Sequence, residues 1–258
     1  MPVTLIVKSE EPTVRARREA AAQRVLDYFG GGLPLSRLLC FLDDSDPPIL
    51  KQVFGVANRG VYGPINDSTP LADWPEYVSS CILVDDGVSL FYPRVIDDLV
   101  YLYGSTCAND VGLTMTLAHE LQHAIQHAIA RKVWAMNGLV PQLSKTAIAA
   151  LELQWFDIPI ERETRIVSKR VAVHFFGEER VTQYIDEKIA EANTRSDVAD
   201  VSDWQFVRAL TPSSSVDIVG DTQRLFQRLK CYRSELEAVL TEKKGNPDFG
   251  GIDLDVCF

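Results

Sequence analysis

This 258-residue chain has little histidine, no excess of positive charge and no long apolar run. Lys and Arg number 26 against 36 Asp and Glu, a net charge of −10. A general nucleic-acid binder needs a basic face, and so does a protein that docks on anionic membrane; neither partner is expected. No apolar stretch approaches the roughly 20 residues that span a bilayer. The start, Met1-Pro2-Val3-Thr4-Leu5-Ile6-Val7-Lys8, lacks the basic leader and apolar length of a secretory signal. The five cysteines, at 40, 81, 107, 231 and 257, include no Cys-x-x-Cys pair. Odd in number and scattered, they fit reduced thiols in a cytoplasmic protein rather than a disulfide frame. What is present, 46% hydrophobic and 24% charged residues, is the composition of a soluble globular protein with a sizeable core.

Of only four histidines, two stand at 119 and 123, in Thr116-Leu117-Ala118-His119-Glu120-Leu121-Gln122-His123-Ala124-Ile125. The stretch reads His-Glu-x-x-His. On a helix, residues i and i+4 share a face one turn apart, so His119 and His123 can point two imidazoles at one metal ion. Glu120 sits one step round, placed to reach a water on that ion rather than to be a third ligand. Two neutral imidazoles beside a carboxylate base make a zinc hydrolase site. The flanking residues are uncharged, so the helix is buried on most sides and its imidazoles need partners. His127 follows one turn later. Pairing it with His123 puts Ala124 where a base is needed, so His119 with His123 is preferred and His127 is read as site wall or partly exposed.

Residues 4–7 read as a strand and 13–29 as a helix closed by Gly30-Gly31-Gly32, a cap and turn rather than a phosphate loop, since no strand precedes it. Residues 35–42 read as a strand, 43–48 as a solvated turn, and 51–80 as loops with short strands. Two apolar runs, 77–84 and 88–92, flank Asp85-Asp86-Gly87 as a hairpin, and 93–103 reads as helical. The motif helix begins at Asn109-Asp110 and runs to about Met136, with Asn137-Gly138 as its stop. Further helices are expected over 144–155, from Pro159 through 173, over 178–192 and over 221–243. Residues 193–203 read as a polar connection. The expectation is one α+β domain: an α/β part over 1–106, a helical part over 107–243 and a loose tail over 244–258.

The segment from Thr116 to Ile125 resembles the extended active-site signature of the zincin metallopeptidases, which has uncharged residues around the two histidines and an apolar residue closing it. The resemblance covers this helix and, more weakly, one later helix. It implies zinc, hydrolysis of peptide bonds in a protein substrate, and Glu120 as general base. It also implies that a strand ahead of the helix is an edge strand holding extended substrate, here one strand of the hairpin. The branch with a Gly-x-x-His continuation is not matched, because Ala124-Ile125-Gln126-His127 follows. The gluzincin branch takes a Glu from a second helix some tens of residues on, and Glu161 and Glu163 open such a helix. They diverge by about 200°, so both cannot face one ion. Aligned on the gluzincin pattern, Glu161 is the ligand, with Thr164 where Ala is usual and Arg165 where Asp or Asn is usual. Glu161 is preferred over Glu163; Glu152 and Asp157 are lesser alternatives. First-turn carboxylates are also what the helix dipole favours unaided. Arg165 accepts no hydrogen bond from a ligand histidine and would pair with Glu161 or Glu163. His174, Tyr184, Tyr101 and Tyr103 are candidate oxyanion donors, although His174 lies about 220° round from Glu161.

An intracellular protease must be restrained, so a narrow substrate range or a regulatory partner protein is expected. The alternative is a zincin-like protein whose metal serves structure or partner binding. A third reading is zinc hydrolysis of a non-peptide amide.

Overall fold

A computed structural model describes residues 3–9, 11–30, 33, 38–43, 60–64 and 98–257. Its strands are β1 (Val3–Lys8), β2 (Leu38–Asp43), β3 (Gly60–Pro64) and β4 (Asp98–Tyr103). They form one mixed sheet in the order β1-β2-β4-β3. The first three neighbours are parallel, Val3 opposite Leu38 and Leu38 opposite Asp98. The last pair is antiparallel, Gly60 opposite Leu102. Helix α1 (Pro12–Phe29) packs on this sheet through Ala21, Ala22, Val25 and Leu26. Its end at Gly30 is the expected cap, with φ of 53° and the backbone N–H donating to the Leu26 carbonyl.

The expected helix over 93–103 is corrected: 98–103 is strand β4. Leu99, Val100, Tyr101 and Leu102 are all buried. A strand covered on both faces shows an apolar run without alternation, and such a run does not separate strand from helix. The hairpin expected over 77–92 lies outside the described residues.

Helix α2 (Asp110–Leu139) carries the motif and is the hub of the structure. Asn109 caps it, its Oδ1 accepting from the N–H groups of Val111 and Gly112. Thirty residues make a rod of about 45 Å. Leu113, Leu117, Leu121 and Ala124 face the sheet core. Val111 and Met115 join a second apolar cluster, and Met136 and Leu139 a third. The helix kinks at Ala130, whose φ of −140° and ψ of 45° are not helical. It runs past the expected stop because Asn137 is buried and donates to the Val133 carbonyl and the Thr222 hydroxyl.

The remaining helices are α3 (Lys145–Ala150), α4 (Pro159–Phe176), α5 (Glu178–Thr194), α6 (Val198–Ala209), α7 (Ile218–Leu229), α8 (Arg233–Glu242) and α9 (Leu254–Cys257). Pro159 stands in the first turn of α4, where its missing N–H costs nothing. Four expectations need correction. The helix over 144–155 stops at Ala150, and Glu152 takes a φ of 51°. Much of the polar connection over 193–203 is helical, because Asp197 caps α6 by accepting from the Asp200 N–H. The helix over 221–243 is two helices, broken by a 3-10 turn over Lys230–Tyr232. The tail is not loose: Leu254 is buried, and Asp248 is buried in ion pairs with α2. The result is an α+β fold, mainly helical. Among the described residues no helix is long and apolar enough to cross a membrane.

Candidate metal centre

Helix periodicity stacks His119 and His123 on one face of α2, and α4 crosses that face with its first turn. The three side chains His119, His123 and Glu161 converge there, and their donor atoms lie within 4.8 Å of one another. The two Nε2 atoms are 3.1 Å apart. Glu161 spans both rings, with Oε1 3.2 Å from His123 Nε2 and Oε2 3.5 Å from His119 Nε2. A tetrahedral zinc site with bonds of about 2.0–2.1 Å separates its ligand atoms by roughly 3.3 Å. The observed spacings bracket that value. Two imidazole nitrogens this close cannot both present lone pairs to each other unless a proton or a cation lies between them. Two nitrogens and one carboxylate are a donor set that can hold a divalent cation such as zinc. The residues present therefore fit the group.

Glu163 does not join the triad. Its Oε2 accepts from Gln126 Nε2 at 2.7 Å and from Gln122 Nε2 at 3.1 Å. Glu152 is exposed, and Asp157 accepts from the Gln154 N–H. Arg165 takes the pairing that its chemistry required: Nη1 donates to Glu161 Oε2 at 2.9 Å, and Nη2 lies 2.7 Å from Asp203 Oδ1. Thr164 lies against His119, its hydroxyl 3.4 Å from Nε2 while donating to the Glu161 carbonyl.

Burial dominates the electrostatics. It pushes the His119 imidazole down to about 4, leaving that ring neutral at pH 7. Burial also opposes charge on His123 and Glu161, but their mutual attraction outweighs it. The imidazole of His123 is raised and the carboxyl of Glu161 held well below its usual range. Burial pushes Glu120 up to about 7, against the pull of His123 and of a hydrogen bond from the Tyr62 backbone N–H.

That last bond ties Glu120 to β3, the strand at the sheet edge nearest the motif. Gly60 makes the approach feasible: a Cβ there would stand 2.9 Å from Thr116 Cγ2 and 3.2 Å from Glu120 Cγ. A cleft of about 430 Å³ opens here, lined among others by Gly60, Met115, His119, Glu120, Arg165 and Trp204. The Glu120 carboxylate and the imidazole of His119 thus both line this cleft.

The other expected participants are elsewhere. His174 is exposed against Tyr28, Tyr101 is buried in the sheet, and Tyr184 packs on Trp204. The side chain of Tyr103 lies outside the described residues. His127 is in neither the triad nor the cleft lining; its Nδ1 is 2.8 Å from the Tyr62 hydroxyl and its Nε2 3.0 Å from Asp248 Oδ1. The sequence reading missed Gln126, whose i+3 spacing from His123 on the same helix was the available signal. It also missed Asp203, which no local pattern marks.

No protein-family model, no curated protein and no solved structure matches this chain.

Proposed function

We propose that this protein is a zinc-dependent peptidase of the zincin type, gluzincin branch, acting on a protein or peptide substrate. The observation that carries the reading is the mutual spacing of His119 Nε2, His123 Nε2 and the Glu161 oxygens, 3.1–3.5 Å. Zinc bound there would lower the pKa of a water toward neutrality and polarise the scissile carbonyl. Glu120 takes the proton of the attacking water and passes it to the leaving amine. Its burial beside the triad suits both steps. The N–H of Tyr62 holds the carboxylate in place between transfers. The edge of β3 beside Gly60 offers backbone groups for pairing with an extended substrate. The proposed setting is the cytoplasm, with a narrow substrate range or a regulatory partner protein restraining the activity.

The test is metal analysis of the purified protein together with Glu120→Gln on a peptide panel. Peptidase activity should fall about 10²- to 10⁴-fold with zinc content unchanged. Activity that survives the substitution would falsify the mechanism.

One observation favours a second reading, in which the metal serves structure or partner binding. Arg165 shares the charge of Glu161 at 2.9 Å and lowers its capacity as a donor. Metal-edge spectroscopy separates the two. A fourth protein ligand means a closed structural site, and an open water position means a catalytic one.

A further inference from the structure

Gln126 lies three residues past His123 and is 1% exposed. Its amide makes three contacts with different demands. Nε2 donates to the Ile160 carbonyl at 3.0 Å and to Glu163 Oε2 at 2.7 Å. Oε1 lies 2.9 Å from His123 Nδ1. Only one orientation satisfies all three. Turning the amide over would press its oxygen against a carbonyl and a carboxylate, both acceptors, and offer an N–H to Nδ1. With Oε1 facing the ring, Nδ1 must carry the proton and donate. In the neutral imidazole the lone pair is then on Nε2, the atom that faces His119 and Glu161.

We propose that Gln126 is a positioning residue for metal binding: held by Glu163 and the Ile160 carbonyl, it fixes the His123 tautomer that presents Nε2 to the ion. This rests on the metal reading above. It gives Glu163, which is no ligand, a role one step behind the site. It also sets this chain apart from sites where a carboxylate or backbone carbonyl contacts the ligand histidine directly. The neutral amide transmits the pull of the Glu163 charge without placing that charge on the ring.

The experiment is zinc competition against a chromophoric chelator, with circular dichroism and thermal melts of the metal-free proteins alongside. Gln126→Met removes the acceptor at nearly constant volume and should weaken zinc binding about 10- to 100-fold. Glu163→Ala, at a half-buried position, removes one of the two acceptors that orient the amide and should weaken zinc binding severalfold, the metal-free melt measuring separately what the lost hydrogen bond costs the fold. Glu163→Gln keeps an acceptor for both glutamines and should restore affinity to within about twofold of wild type. If Gln126→Met fails to fold, the two Glu163 variants decide alone. Wild-type zinc binding with affinity unchanged in Glu163→Ala and in any folded Gln126→Met overturns this inference and leaves the metal reading standing. A wild-type chain that takes up no zinc overturns both.

Discussion

Two histidine clusters sit one turn apart on the same helix, and they differ in kind. His123 and His127 are almost equally buried, with side chains 10% and 13% exposed. Around His123 the donors converge, and three atoms from two helices crowd one point. Around His127 they run in a line. The Tyr62 hydroxyl donates to Asp98 Oδ1 at 2.6 Å and meets His127 Nδ1, His127 Nε2 meets Asp248, and Arg131 Nε donates to Asp248 at 2.6 Å. A line of donors and acceptors satisfies its own members and binds segments together, here β3, β4, α2 and the tail. A convergent set is left with lone pairs facing a common centre, and only an added positive charge satisfies them all. Burial does not distinguish a structural histidine from a ligand; the topology of its contacts does.

The sharpest way to break this contrast is to delete each histidine in turn. About 10–16 kcal/mol of structural zinc binding spread over four ligands gives roughly 2.5–4 kcal/mol each, so His123→Ala should cost on the order of a hundredfold to nearly a thousandfold in zinc affinity. His127→Ala should leave that affinity within about threefold, since no contact of its line reaches the triad. Equal losses in isothermal titration would erase the distinction.

The two regions should also respond to pH with opposite signs. In metal-free protein, Glu120 has its carboxyl raised by burial from 4.5 to about 7. Its charging therefore destabilises the fold as pH rises through that window. Glu120→Gln should be more stable than wild type at pH 8, by on the order of 3 kcal/mol, with the gap closed by about pH 4. Asp248 behaves the other way. Burial pushes its carboxyl up, but hydrogen bonds from His127 and Arg131 outweigh it and hold it below the usual range. Its contribution is present above about pH 4 and fades as pH falls further. Asp248→Asn should cost about 1–3 kcal/mol at pH 7, less than that in acid, and nothing in zinc affinity. Denaturant melts from about pH 2 to pH 8 read both signs, Glu120 in the upper half of that range and Asp248 in the lower, and parallel curves for the two variants would contradict the assignment.

Much of the candidate site was legible in the sequence because it is local. The i, i+4 spacing of His119 and His123, the Asn109 cap and Pro159 at the head of α4 are short-range signals, and each element formed where they placed it. That Glu161 rather than Glu163 converges on the histidines followed from a family pattern, and Arg165 paired as its chemistry demanded. What stayed hidden depends on distant partners. Strand β4 lost its alternation because both its faces are covered. Helix α6 looked like a polar connection because Asp197 and Asp200, the residues that start it, are the same types that fill loops. The tail is held by Asp248, whose partners lie 117 and 121 residues earlier.

Gly60 sets a dimension. The strand lies beside the helix at a separation that leaves no room for a methyl group, which is why the Tyr62 amide reaches the Glu120 carboxylate. Any larger residue would wedge the two apart, lengthen that bond and let the carboxylate swing. How near the strand stands to the helix is thus written at a position with no side chain of its own.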